Sequence, residues 1–202
     1  MYIAIEGIKG SGKSTIVNDL VADSKVKQMK LFPITAPMNK NHPLEKYHKI
    51  NPELKSDDEF IEKLFIHRAY WNQPYKSEKM IVGDRSILTS YVSRWMKWSD
   101  PYYTLKKVEH QYKGIMKPNV LIWLETPVER ASKNIRKREQ KGIRKSDEDE
   151  EKLIIDKLIY EELILGNLYK KKIENVQIII LPNTGNIDDL RNEIIQIIKH
   201  YN

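Results

Sequence analysis

Four short runs of the chain are apolar without a polar alternation: Tyr2 to Glu6, Met80 to Val82, Val120 to Leu124 and Val176 to Leu181. That pattern predicts strands buried on both faces of a parallel sheet. Met29 to Phe32 is a weaker fifth. Between these runs, apolar residues recur at helical spacing over Lys13 to Ser24, Asp57 to Trp71, Ile87 to Trp98, Tyr102 to Met116, Val128 to Lys137, Asp149 to Tyr169 and Ile187 to Tyr201. Strands alternating with helices predict an α/β sandwich with a mainly parallel five-stranded sheet, helices on its faces and right-handed crossovers.

Punctuation agrees with these boundaries. Ser56 precedes Asp57-Asp58-Glu59, and Thr126-Pro127 precedes Val128-Glu129, so a capping residue is followed by acids or proline in the first turn. The stretch from Pro33 to Pro52 also holds Pro37 and Pro43 and few apolar residues, and reads as a long loop of the kind that carries binding residues over a rigid sheet. Neither a repeat nor a low-complexity linker divides the chain, so residues 1 to 202 are expected to form a single domain.

Composition narrows the chemistry. With no cysteine, disulfides, thiolate zinc sites and cysteine nucleophiles are excluded together, and nothing requires an oxidising compartment. The N-terminus lacks a basic leader, and no apolar stretch approaches the roughly 20 residues that cross a bilayer, so a cytoplasmic chain without membrane contact is expected. The net charge of +7 favours anionic partners. The basic residues of 133 to 145 are followed at once by Asp147-Glu148-Asp149-Glu150-Glu151, a countercharge that a nucleic-acid-tracking stripe does not carry, so nucleic acid is not an expected partner.

Residues Gly7-Ile8-Lys9-Gly10-Ser11-Gly12-Lys13-Ser14-Thr15 fit G-x-x-x-x-G-K-[ST] directly after a strand and before a helix, where a phosphate-binding loop must lie. The glycines let successive backbone N–H groups point at phosphate oxygens, and the helix start adds its positive dipole end. Lys13 is expected to reach the β- and γ-phosphates of ATP, the Ser14 hydroxyl to ligate Mg²⁺, and Thr15 to support the α-phosphate. Kinases, GTPases and motor ATPases share this cradle. The guanine-selecting N-K-x-D pattern does not occur, and the chain is short for a motor, so a small kinase leads.

Gly83-Asp84-Arg85-Ser86 follows the strand at Met80, placing an acid and an arginine at the sheet edge where such folds bind ligands. Asp84 could take Mg²⁺ through water or orient an acceptor, and Arg85 offers a planar fork for phosphate. With this pair the chain resembles the thymidylate kinase family. The resemblance runs through Ile5-Glu6-Gly7, Phe32-Pro33, Leu64-Phe65-Ile66-His67-Arg68-Ala69, Asp84-Arg85-Ser86 with Thr89, and Lys117-Pro118-Asn119 leading to Glu125. It continues through Pro127-Val128-Glu129-Arg130-Ala131 and Ile135-Arg136-Lys137-Arg138. It implies a three-layer P-loop kinase with a short lid over about 137 to 149. Asp84 and Arg85 would handle metal and acceptor phosphate, Phe32, Pro33, Leu64 and Arg68 the acceptor base, and Arg136, Arg138 and Arg144 the ATP phosphates.

The match departs from that family at the acceptor side. Thr35 stands where many members carry arginine, Leu64 stands at the place of the stacking phenylalanine, and Lys9 replaces an acid inside the phosphate loop. The expected activity is transfer of the γ-phosphate of ATP to a nucleoside monophosphate, dTMP leading, with another or a modified nucleoside monophosphate as alternatives. A deoxynucleoside kinase is a further alternative, but its hydroxyl acceptor needs a carboxylate base near the end of the second strand, where the chain reads Pro33-Ile34-Thr35, although Asp84 could in principle serve. A nucleotide-binding module without catalysis is the rival outside enzymes. Trp95, Trp98, Tyr102 and Tyr103 are candidates for core or for a homodimer surface.

Overall fold

Five parallel strands carry the fold in the computed structural model: β1 (Tyr2–Glu6), β2 (Phe32–Thr35), β3 (Ile81–Asp84), β4 (Val120–Glu125) and β5 (Gln177–Pro182). Their order across the sheet is β2-β3-β1-β4-β5. The structure describes residues 1–23, 32–35, 46–47, 50–71, 80–95, 101–111, 113–142, 150–172 and 175–201. The helices are α1 (Lys13–Ala22), α2 (Asp58–Trp71), α3 (Ile87–Trp95), α4 (Pro101–Gln111), α5 (Val128–Gln140), α6 (Glu150–Ile164), α7 (Leu168–Lys172) and α8 (Ile187–His200). A single 3₁₀ turn, Pro52–Lys55, precedes α2.

The two faces of the sheet follow from strand pleating. In β4, Val120, Ile122 and Leu124 join Ile3, Ile5 and Val82 in a core with Ile16, Val17 and Leu20 of α1 and Leu190, Ile194, Ile195 and Ile198 of α8. Leu121 and Trp123 point the other way, into a second core with Leu88, Tyr91 and Val92 of α3, Ala131 and Ile135 of α5, and Leu153, Tyr160 and Leu163 of α6. This is the three-layer architecture that the alternation implied. Asn119 sets the register at the foot of β4: its side chain accepts from Tyr2 N at 2.8 Å, its N–H donates to Tyr2 O at 2.8 Å, and its carbonyl accepts from Gln177 N at 2.9 Å.

Several boundaries differ from expectation. The second strand spans Phe32–Thr35, so Phe32-Pro33 lies inside a strand, not after one, and residues 29 to 31 of the expected strand lie outside the described residues. Pro33 is tolerated there because β2 pairs on one side only, with β3. Helix α5 continues to Gln140, so residues 137 to 140 of the expected lid are helical. The remainder of the expected lid, 143 to 149 with Arg144, lies outside the described residues. The helix expected to run to Tyr169 breaks after Ile164, where Asn167 takes φ 59°, a left-handed stop that Asn accepts more readily than most residues. Trp95 packs against the second core, whereas Trp98 and the side chains of Tyr102 and Tyr103 lie outside the described residues. Among the described residues, no helix is long and apolar enough to cross a membrane.

Candidate active site

The carboxyl ends of β1, β3, β4 and β5 and the loops that follow them form the site. Residues 7 to 12 turn from β1 into α1, and Gly12 caps that helix in a left-handed conformation. Gly10 shows why glycine is needed: its φ is 83°, and an added Cβ would lie 2.4 Å from the carbonyl oxygen of Ala131 in α5. The loop is pressed onto that helix.

Its carbonyls are committed to side-chain donors. Asn134 of α5 donates to Gly10 O at 2.9 Å, and Asn183, just beyond β5, donates to Ser11 O at 2.8 Å and to Thr126 Oγ1 at 2.9 Å. Lys13 donates to Gly7 O at 2.6 Å, Ile8 O at 2.8 Å and Ser11 Oγ at 3.1 Å. An anion cradle requires this, because unpaired carbonyl dipoles facing phosphate would repel it. Burial lowers the Lys13 ammonium to about 7, Arg85 and more weakly Arg138 push the same way, and Glu6 and Asp84 pull against them. Ser14 and Thr15 are exposed at the start of α1, whereas Lys9 is half-buried in the loop.

Asp84 ends β3. It is buried, and its Oδ1 has no hydrogen-bond partner among the described residues. A buried carboxylate oxygen without a donor needs a cation or an incoming proton donor. The donor set fits Mg²⁺, which keeps several waters and takes one or two protein oxygens beside substrate phosphates, so the Ser14 hydroxyl and Asp84 are the groups that would hold it. Strand register places Asp84 opposite Thr35 of β2.

Arg85 takes φ 81°, a conformation uncommon for a bulky residue, and its neighbours impose it. Its N–H donates to Ile5 O at 3.0 Å, its carbonyl accepts from Tyr2 Oη at 3.2 Å, and its guanidinium donates to Thr89 Oγ1 at 3.3 Å. Beside it lies Glu6, fully buried, which accepts from Ser86 N at 2.6 Å, Ser86 Oγ at 2.8 Å, Thr89 Oγ1 at 2.9 Å and Tyr160 Oη at 2.9 Å. Burial, with the Glu6 charge, raises the Tyr160 phenol well above its usual range, so it stays a donor.

The two arginines of α5 part company. Arg138 follows Asn134 by one turn, lies half-buried toward the phosphate loop and is near enough to act on the charge of Lys13. Arg136, about 200° round the helix from Asn134, is exposed and pairs with Glu150 at 3.6 Å. The two expected phosphate-binding arginines thus lie on different sides of the helix, because helical rotation separates positions two apart. Leu64 is buried within α2, with Arg68 one turn on; the side chains of Arg68, Phe32 and Pro33 lie outside the described set.

Sequence reasoning gave no site role to Glu6, Asn134, Tyr160 or Asn183, and it read Thr126 as a helix cap, whereas the Thr126 hydroxyl donates to Leu124 O at 3.1 Å and Pro127 holds the cap position. Glu6 carried a signal, an acid closing an otherwise apolar strand against the phosphate loop, and so did Asn183, polar at a strand's carboxyl end. Asn134 and Tyr160 had none beyond helical position.

The family model of the deoxynucleoside kinases matches residues 3–152. No curated protein sequence matches the chain. Among solved structures, a deoxyadenosine kinase from M. mycoides with dCMP and a flexible dCDP bound is 19% identical over 99% of this chain and 100% of its own, with a TM-score of 0.67. The same kinase with bound dATP is 18% identical over 98% of this chain and 100% of its own, TM-score 0.66. A thymidylate kinase from Candida albicans is 20% identical over 99% of this chain and 91% of its own, TM-score 0.69. These likenesses show the fold. The family match corrects the earlier resemblance, which pointed to the thymidylate kinases: the family that matches is that of the deoxynucleoside kinases.

Proposed function

The chain belongs to the deoxynucleoside kinase family, and from that premise we propose that it transfers the γ-phosphoryl group of ATP to the 5′-hydroxyl of a deoxynucleoside. Asp84 carries this reading. A neutral hydroxyl acceptor must lose a proton, and a positioned carboxylate accelerates that loss. No acid stands at the end of β2, but Asp84 is the register partner of Thr35, so a carboxylate stands one strand away, about 5 Å across the sheet. Its Oδ1 is buried and without a partner among the described residues.

In the reaction, the 5′-oxygen forms a bond to Pγ as the bond from Pγ to the β,γ-bridging oxygen breaks, the hydroxyl proton passes to Asp84, and ADP leaves. Phosphoryl transfer of this kind depends on positioning and charge. Lys13 would exchange part of its loop bonding for β- and γ-phosphate oxygens, Arg138 would lie over the donor, and Arg85 would face the transferring group. Lys9, Gly7, Gly10, Ser11, Gly12 and Thr15 would complete the ATP cradle. Mg²⁺ would be held by the Ser14 hydroxyl, the phosphates and waters bordering Asp84, and when bound supplies neutralising charge. Leu64 and Arg68 on one face of α2 remain the candidates for the acceptor base, with Phe32 and Pro33.

A second reading, a nucleoside monophosphate acceptor such as dTMP, is favoured by the lack of an acid at Thr35, since an ionised phosphate needs no base. One assay separates the two: ATP consumption with Mg²⁺ against deoxyadenosine, deoxycytidine, deoxyguanosine and thymidine and their 5′-monophosphates. Turnover on a nucleoside, with an Asp84→Asn variant slowed on the order of 10²- to 10⁴-fold at unchanged ATP affinity, supports the proposal. Turnover on monophosphates alone replaces it with the second reading, and no turnover on either class leaves a binding module.

A further inference from the structure

We propose that Glu6 is a positioning residue whose carboxylate fixes the Thr89 hydroxyl and thereby aims the Arg85 guanidinium, with Tyr160 tying helix α6 into the same network. The inference rests on the kinase reading for its kinetic consequences, and on geometry alone for the placement of Arg85.

An ionised carboxylate only accepts hydrogen bonds. Glu6 therefore gathers four donors, two from Ser86, one from Thr89 and one from Tyr160, and each must turn its proton inward. Thr89 has one proton, and Glu6 takes it. The lone pairs of Thr89 Oγ1 are then the part that meets Arg85, whose guanidinium donates to them at 3.3 Å. The polarity of the chain Arg85 to Thr89 to Glu6 is thus set by the charge at its end. A neutral amide at position 6 could donate to Thr89, turn that hydroxyl toward the guanidinium and oppose two donors.

The network joins three elements that the site requires together. Glu6 closes β1 immediately before the phosphate loop, Ser86 and Thr89 lie where β3 passes into α3, and Tyr160 comes from α6. Tyr160 bonds Glu6 across 154 positions of chain and lies 3.4 Å from Thr89 Oγ1. A buried charge is a costly way to fill space at a strand end, and apolar side chains fill the rest of β1. The left-handed backbone of Arg85, held from both sides, shows that its placement is imposed.

The test compares Glu6→Gln, Thr89→Val, Thr89→Ser and Tyr160→Phe with the wild type in three measurements: steady-state kinetics on the accepted nucleoside, ATP affinity by calorimetry, and the ¹⁵Nε resonance of Arg85. Glu6→Gln and Thr89→Val are expected to lower kcat/KM for the acceptor on the order of ten- to a hundredfold, and Tyr160→Phe less. ATP affinity should stay within about twofold, Thr89→Ser should retain wild-type behaviour, and the Arg85 signal should lose its distinct shift in Glu6→Gln. Parallel losses in ATP affinity, or an Arg85 resonance unmoved in Glu6→Gln and Thr89→Val, overturn the proposal. If the wild type phosphorylates no nucleoside, the kinase reading fails separately, and the Arg85 resonance still decides the positioning.

Discussion

Asn183 donates its side-chain amide to the carbonyl of Ser11 at 2.8 Å, across 172 positions of sequence, and so fastens the far strand of the sheet to the phosphate loop. Its second amide proton goes to Thr126 Oγ1 at 2.9 Å. Asn183→Asp keeps the shape but sets a carboxylate oxygen against the Ser11 carbonyl. We expect about 1–3 kcal/mol of lost stability and an ATP affinity lower by about tenfold, with Asn183→Ala between the two. Thermal melts and calorimetric titration read both effects; an Asp variant as tight for ATP as the wild type would remove the loop from the role assigned to Asn183.

Gly10→Ala tests the seating of the loop on α5. A Cβ there meets the Ala131 carbonyl oxygen at 2.4 Å and its carbon at 2.9 Å, and the backbone is already at φ 83°. Strain and clash together should cost more than about 1 kcal/mol, seen as a melting temperature lower by at least about 2–4 °C. Lifting the loop off the helix should also abolish measurable ATP binding. A variant with normal melting and affinity contradicts the close approach.

Lys13 makes opposite pH trends for stability and for binding. Its folded value, about 7, lies below the ordinary lysine value of 10.5, so between those pH values the unfolded chain holds the extra proton. Stability without nucleotide should therefore rise with pH across that window, by at most about 1.4 kcal/mol per unit from this group. Bound phosphates favour the ammonium, so ATP binding at pH 8.5 should take up close to one proton and weaken as pH rises above 7. Calorimetry in buffers of different ionisation enthalpy measures the uptake, and Lys13→Met should lose both trends while remaining folded. Proton release on binding would contradict the assignment.

Arg138 and Arg136 should behave unequally. Arg138 faces the phosphate loop, and its removal should lower kcat on the order of a hundredfold or more. Arg136 forms an exposed pair with Glu150, so Arg136→Ala should leave kcat within about threefold. Parallel kinetics of the two alanine variants decide it, and equal losses would mean that α5 presents both to the donor.

The chemistry of the site was legible where it is local. Gly7 to Thr15 declare a phosphate loop because the spacing, the strand before it and the helix after it lie within a few residues of one another. Asp84 and Arg85 were legible because an acid and an arginine closing a buried strand fall on the ligand edge of any such sheet. The alternation of apolar runs and helical periods likewise determined the three layers. The same local signals led the sequence reading to the thymidylate kinases with dTMP as acceptor, whereas the family match is to the deoxynucleoside kinases.

What only the tertiary structure decided are relationships between distant segments. Strand order β2-β3-β1-β4-β5 and the register of each pair set Asp84 beside Thr35, Glu6 among Ser86, Thr89 and Tyr160, and Asn183 against Ser11. Apolar strands read alike in sequence, and a register slip of one residue exchanges the faces without changing composition, so these neighbours follow from packing and not from pattern. The division between Arg138 and Arg136 has the same origin: both lie in one basic run, and the side of α5 that Asn134 turns toward Gly10 determines which of them lies nearer the phosphate loop.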